Sequence, residues 1–439
     1  MLLKTLELIK IMKFEVEIAS YDLIVHIGAP KTGSSAIQSK FTHYAKELQR
    51  QGIYYPSHLT DMNGISGGHW DLASCLVDND LGRARSLLAG YLKEARKVNC
   101  TLLISAEGFF NFPERLLEIM PTRKFLIVSF LRHPLESFQS SYNQDIKRHF
   151  STSTIREFAK SLACMKPAIT GEPLIKWWEL LGKEQLHIIP YSVYLSFDSP
   201  TILEKLLGLH IEDNEARINR SYTPCALLFK RMLNTVLDKK NASMNHRLDL
   251  LLQSYSDSAN PASPSLKCLL GEQLYAELDR KYATILNQIN LAFDINVEFS
   301  DLNIGAGEYE SIDTVLDVIK SDKNLFLYIH ECIHESAKSN NLSYDLLELI
   351  SIFKVDINNI FNNRFSLGIN ELDIVTSPKS EMPDVLREFS KFMEIMGDSE
   401  SAYRIAIRAL ELRPTGPYIQ ALVKRLSDNI ISLTKGERN

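Results

Sequence analysis

No run of apolar residues in this 439-residue chain approaches the roughly 18 that a membrane-spanning helix needs. The N-terminal stretch Met1 to Phe14 comes nearest, but Lys4, Glu7, Lys10 and Lys13 interrupt it and no small-residue cleavage site follows. Neither a secretory leader nor a transmembrane anchor is expected. Residues 1–20 read as a short amphipathic extension of a cytoplasmic protein. The six cysteines (Cys75, Cys100, Cys164, Cys225, Cys268 and Cys332) stand singly, with no CxxC pair and no Cys/His ligand spacing. A disulfide framework and a zinc site are therefore not expected, and no metal is called for. Charge of one sign is lacking too: a net charge of −5 gives no overall attraction to nucleic acid or to an anionic membrane. An anionic ligand would have to be gripped by a local arrangement of donors.

What the chain does contain is globular: 45% hydrophobic and 23% charged residues, in a length that favours two or three domains. The first half alternates short apolar runs with helical patterns, which predicts an α/β fold with a mainly parallel sheet. Leu23 to Ile27, Thr101 to Ser105, Phe125 to Phe130 and Leu186 to Ile189 read as buried strands, each followed by a turn or cap signal at Gly28, Gly108, His133-Pro134 or Pro190. Beyond about Leu195 helical patterns dominate, with a Ser/Pro/Asn loop expected over Ser254 to Ser265. A catalytic domain is assigned to residues 21–304 and an all-α region to 305–439. Near the chain's end, Pro383 to Pro414 resembles one tetratricopeptide repeat. Leu386, Phe389 and Met393 fall where its first helix packs and Gly397 falls at its turn. Ala402, Ala406, Ala409, Leu412 and Pro414 fit its second helix and stop. Such helix pairs usually present a surface to a protein partner.

The most informative segment is Gly28-Ala29-Pro30-Lys31-Thr32-Gly33-Ser34-Ser35-Ala36, which follows a buried strand and opens a helix. In that geometry successive backbone N–H groups meet an anion at a helix N-terminus. Gly33 permits a conformation that a β-carbon disfavours, Ser34 and Ser35 add hydroxyls, and Lys31 adds a point charge. An ordinary nucleotide-triphosphate loop reads GxxxxGK(S/T). Here the lysine precedes the second glycine, and the strand over Phe125 to Leu131 ends in Arg132, not in the aspartate that supports Mg²⁺. A metal-free anion cradle fits better.

Pro30-Lys31-Thr32-Gly33-Ser34-Ser35 resembles the 5′-phosphosulfate loop of sulfotransferases that use 3′-phosphoadenosine-5′-phosphosulfate (PAPS). Arg132-His133-Pro134, with Ser140 eight residues beyond the arginine, resembles that family's 3′-phosphate site. Gly52 to Pro56, Ser137 to Gln144 and Asn219-Arg220-Ser221 are similar to a bacterial branch that often acts on carbohydrate. The resemblance covers roughly Tyr21 to Leu302. It implies a P-loop-like three-layer fold with a central parallel sheet, PAPS as co-substrate and a hydroxyl acceptor, a carbohydrate or glycoconjugate. By the same resemblance Lys31, Thr32, Gly33, Ser34, Ser35, Ala36, Arg132 and Ser140 hold the nucleotide, and Arg220 adds a third phosphate contact or stands in a plain turn.

Sulfuryl transfer requires alignment of acceptor and donor and stabilisation of charge on the leaving phosphate, a role for Lys31. The acceptor hydroxyl also needs a base. Glu107, at the end of a buried strand, is the first candidate, with a capping or salt-bridged carboxylate as its structural alternative. His69, between glycines and Trp70, is the second, and a surface-loop histidine is the competing reading. His26 and His133 read as structural. Trp177 and Trp178 sit at a spacing that places one of them in the core. Two other classes compete with the enzyme: a nucleotide-binding interaction protein without turnover, and a divergent nucleotide kinase.

Overall fold

The computed structural model describes residues 16–59, 67–191, 198–211, 221–259, 264–297, 299, 310–338, 343–355, 381–395 and 399–436. The chain forms two compact units, Met1–Arg231 with Asp249–Leu316, and Met232–Leu248 with Asp317–Asn439. This division differs from a single boundary at 304/305, because residues 232–248 belong to the second unit and the first extends to Leu316.

The first unit is built on a parallel sheet. Its strands are β1 (Leu23–His26), β2 (Ile53–Tyr54), β3 (Thr101–Ser105), β4 (Phe125–Arg132) and β5 (Leu186–Tyr191), in the order β2-β3-β1-β4-β5. β1, β3 and most of β4 are apolar without alternation because both faces are covered. Leu23, Val25, Ile104 and Ile127 pack on one face with α2 (Trp70–Val77), α3 (Leu81–Lys97), α4 (Pro113–Ile119), α6 (Pro173–Leu181) and α8 (Glu272–Phe293). Ile24, Leu103, Val128 and Phe130 pack on the other, against Ile37 and Phe41 of α1 (Ser34–His43) and Ile202, Leu203 and Leu206 of α7 (Ser199–Leu206). Each fully buried side chain of this kind contributes roughly 1.5–3 kcal/mol. The helix after β1 and the helix after β3 therefore cover opposite faces. Connections that leave adjacent strands on opposite faces open a crevice at the strands' C-terminal ends.

The expected α/β architecture is present. β4 and β5 run two residues past their expected ends, and the two-residue β2 was not anticipated. A helix over Ala242–Ser258 continues through Ser254 to Ser258, where a loop was expected to begin. There Ser256 donates its hydroxyl to the Leu252 carbonyl at 2.7 Å and Ser258 to the Tyr255 carbonyl at 2.9 Å, so these serines bond back into the helix. α5 (Pro134–His149) follows β4, with Pro134 at its first position and the His133 ring capping it by accepting the Leu135 N–H at 3.2 Å.

In the second unit, α9 (Lys323–Ala337) and α10 (Tyr344–Phe353) precede a hairpin of α11 (Met382–Ile395) and α12 (Ser399–Leu412), and α13 (Pro417–Gly436) packs beside it. The hairpin coincides with the repeat-like segment, and Ala402, Ala406 and Ala409 are buried as expected. Phe389 and Leu412 are 47% and 45% exposed, against the expected packing. Among the described side chains of α11, the buried ones are Glu388, paired with Arg387 at 2.6 Å, and Ser390, whose hydroxyl donates to the Ala402 carbonyl at 2.8 Å. Small alanines on α12 leave room for these polar side chains to face inward. Gly397 lies outside the described residues.

Candidate anion-binding site

The loop between β1 and α1 leaves the C-terminal end of β1, where the covering helices change face. Gly33, the cap residue of α1, has φ +86°, and a β-carbon there would lie 2.6 Å from the Ser199 hydroxyl oxygen. Glycine is required twice over, by backbone conformation and by the neighbour. Lys31 also adopts a left-handed backbone, φ +69°, uncommon for a side chain of its size. Thr32 donates its hydroxyl to the Ala29 carbonyl at 2.5 Å, and Ser34 reaches the same oxygen at 3.4 Å. Both bonds go to one carbonyl, that of Ala29. The backbone N–H groups of Lys31, Thr32, Gly33, Ser34 and Ser35 have no acceptor among the described residues. Ala36 donates to the Gly33 carbonyl at 3.0 Å and already belongs to the helix. A cluster of amides without acceptors at a helix N-terminus is the donor set an anion needs.

Arg132 ends β4 beside this loop. Its Nη1 donates to the Lys31 carbonyl at 2.9 Å and its Nε donates to Glu136 Oε2 at 3.0 Å, while its guanidinium lies over the Tyr191 ring at 5.1 Å. Nη2 has no partner among the described residues. Ser140 lies one helical turn beyond Glu136 on the same face of α5, half-buried, with no hydrogen-bond partner among the described residues. Arg220 lies outside the described residues.

Glu107 begins the turn after β3, next to the loop: a β-carbon on Gly28 would stand 3.8 Å from Glu107 Cα. Burial pushes its carboxyl above the usual range, while the Lys31 charge and a hydrogen bond from Ser34 pull it back. Burial lowers Lys31 in turn, with Glu107 opposing and Arg132 reinforcing the shift. Lys31, Ser34, Glu107 and Arg132 thus act on one another electrostatically.

His69 lies against the end of β3. It is buried, not on a surface loop, and its Nδ1 accepts the Ser105 N–H at 3.0 Å. Burial lowers its pKa to about 4, with backbone hydrogen bonds at Ser105 and Pro56 opposing the shift. Glycine at position 68 accounts for the inward turn, since a β-carbon there would fall 2.0 Å from the Ser105 carbonyl. His26 is likewise buried, with Nδ1 2.8 Å from Ser105 Oγ. Trp177 is core, donating Nε1–H to the Phe110 carbonyl at 3.0 Å, and Trp178 is exposed.

Three residues of this region escape a reading by motif. Glu136 had a local signal, four residues after Arg132 on a helix. Tyr191 and Ser199 had none, because strand order alone brings them to the loop. In the second unit, His330-Glu331-Cys332-Ile333-His334 on α9 carries the spacing of helix-borne zinc motifs. Among the described residues no group of three His, Cys, Asp or Glu is placed to hold a metal ion. No helix among them is long and apolar enough to cross a membrane. Comparison with family models, with curated proteins and with solved structures returns no match.

Proposed function

We propose that this chain is a PAPS-dependent sulfotransferase acting on a hydroxyl group, that of a carbohydrate or glycoconjugate. The observation that carries this reading is the pairing of two anion-ready positions at the ends of adjacent strands. One is the set of loop amides without acceptors after β1. The other is Arg132 with Ser140 after β4. A ligand with two separated phosphate-type groups suits that pair. The terminal aspartate that Mg²⁺-dependent phosphate chemistry uses is replaced by Arg132, which disfavours a kinase.

In this reading the loop amides, Thr32, Gly33, Ser34, Ser35 and Ala36 hold the 5′-phosphosulfate, and Arg132 and Ser140 hold the 3′-phosphate, with Arg220 as a further contact. The acceptor oxygen forms a bond to sulfur as the bond from sulfur to the 5′-phosphate oxygen breaks. The acceptor's proton passes to the Glu107 carboxylate, and Lys31 meets the charge that builds on the departing phosphate. A cytoplasmic location and a protein partner for the second unit belong to the same proposal.

Calorimetric titration tests it. Adenosine 3′,5′-bisphosphate should bind without Mg²⁺ and more tightly than ATP. Equal binding of ATP, or a strict need for Mg²⁺, overturns the assignment.

A further inference from the structure

We infer that Arg132 and Ser199 are positioning residues for the loop, so that the group which recognises one phosphate also sets the backbone that grips the other. The inference rests on the nucleotide reading above for its ligands, but its geometry does not. Arg132 donates to the Lys31 carbonyl at 2.9 Å, and Ser199 donates to the next carbonyl, that of Thr32, at 2.6 Å. Both peptides are trans. In a planar trans peptide the N–H points opposite to the C=O. Holding the Lys31 carbonyl therefore fixes the direction of the Thr32 N–H, and holding the Thr32 carbonyl fixes that of the Gly33 N–H; both N–H groups lack acceptors among the described residues.

The two donors are themselves fixed. Glu136 at 3.0 Å and the Tyr191 ring restrain the guanidinium. Ser199 is buried in the first turn of α7, a turn that Asp198 caps by accepting the Thr201 N–H at 3.0 Å. The loop cannot supply this restraint alone, since Lys31 and Gly33 both occupy left-handed backbone. Donors held in place before a ligand arrives bind it more tightly because less order is lost on binding. Occupying the Arg132 site and occupying the loop are thereby coupled.

Adenosine 5′-phosphate, which lacks the 3′-phosphate, is the discriminating probe. It and the 3′,5′-bisphosphate are titrated into the full chain and into Arg132→Ala, Arg132→Lys and Ser199→Ala variants. Ser199→Ala should weaken both nucleotides by the same factor, roughly two- to tenfold for one neutral hydrogen bond. Arg132→Ala should weaken adenosine 5′-phosphate by a similar factor and the bisphosphate by more. Unchanged affinity for adenosine 5′-phosphate in the arginine variants overturns the coupling. Amide resonances of the ligand-free protein give a second readout. The Thr32 signal should shift or broaden in Arg132→Lys, and the Gly33 signal in Ser199→Ala. Amides that stay in place refute the inference even if no variant binds nucleotide. A wild-type chain that binds neither nucleotide refutes the functional reading, and the amide signals then decide the positioning claim by themselves.

Discussion

At the scale of single residues, Lys31 and Glu107 show how burial and charge work against each other. Burial favours the neutral form of both, and each opposes that shift in the other. A base must be ionised and a charge-stabilising ammonium must be protonated. For the proposed reaction, kcat/KM should therefore rise with pH through a value above the usual carboxylate range and fall again below the usual lysine range. Replacing Glu107 with Gln should cost about 10²–10⁴-fold in turnover and remove the acid limb of the profile. Replacing Lys31 with Ala should lower kcat by roughly 10²–10³-fold with a smaller change in nucleotide affinity. A sulfation assay over a pH series checks both. A Glu107→Gln variant with full activity would move the base elsewhere, and a Lys31→Ala effect confined to KM would reduce that residue to ground-state binding.

At the scale of elements, the junction of β1, loop and α1 depends on one glycine. Gly33→Ala places a side chain in a left-handed backbone and 2.6 Å from the Ser199 oxygen, and should cost about 1–3 kcal/mol of stability or of loop order. Urea unfolding and bisphosphate titration together measure the cost, and a variant equal to wild type in both would show that the loop is not held as described. Much of this junction was legible beforehand. The apolar run, the glycines, the serines and the strand-ending Arg132 with Pro134 two residues on are local signals within a few residues of one another. The repeat-like hairpin was legible in its helix boundaries and its buried alanines. Its inward face was only partly so: helical spacing places Phe389 near that face but does not decide whether Phe389 or the neighbouring Glu388 and Ser390 turn in.

At the scale of the molecule, three buried histidines tie stability to pH. Burial pushes His26 down to about 3, and His69 and His133 to about 4, from an ordinary 6.5. Below pH 6.5 the unfolded chain takes up protons that the folded chain refuses, so stability is full above 6.5 and is lost as pH falls. The loss should reach up to about 4 kcal/mol per pH unit, near 1.4 for each histidine. Glu107 and Glu136, whose pKa values are raised, act in the opposite sense. Unfolding free energies between pH 5 and 7 should therefore slope upward, and His69→Gln should flatten the slope by up to about 1.4 kcal/mol per unit at the acid end of that range. A flat profile in the wild type that His69→Gln leaves unchanged would mean that this imidazole takes up its proton in the folded protein as it does in the unfolded chain.

The sequence by itself determined the strand–loop–helix units, the left-handed glycine and the spacing from Arg132 to Ser140. These follow from backbone sterics and from periodicities of two and 3.6 residues, which act over short stretches of chain. Only the tertiary structure decided that His69 is buried behind Ser105, that Glu107 stands beside Lys31, and that Ser199 holds a carbonyl 167 residues earlier in the chain. Those contacts depend on the strand order β2-β3-β1-β4-β5 and on which face each connection takes. No local pattern encodes that order, because it is selected by the packing of all the elements at once.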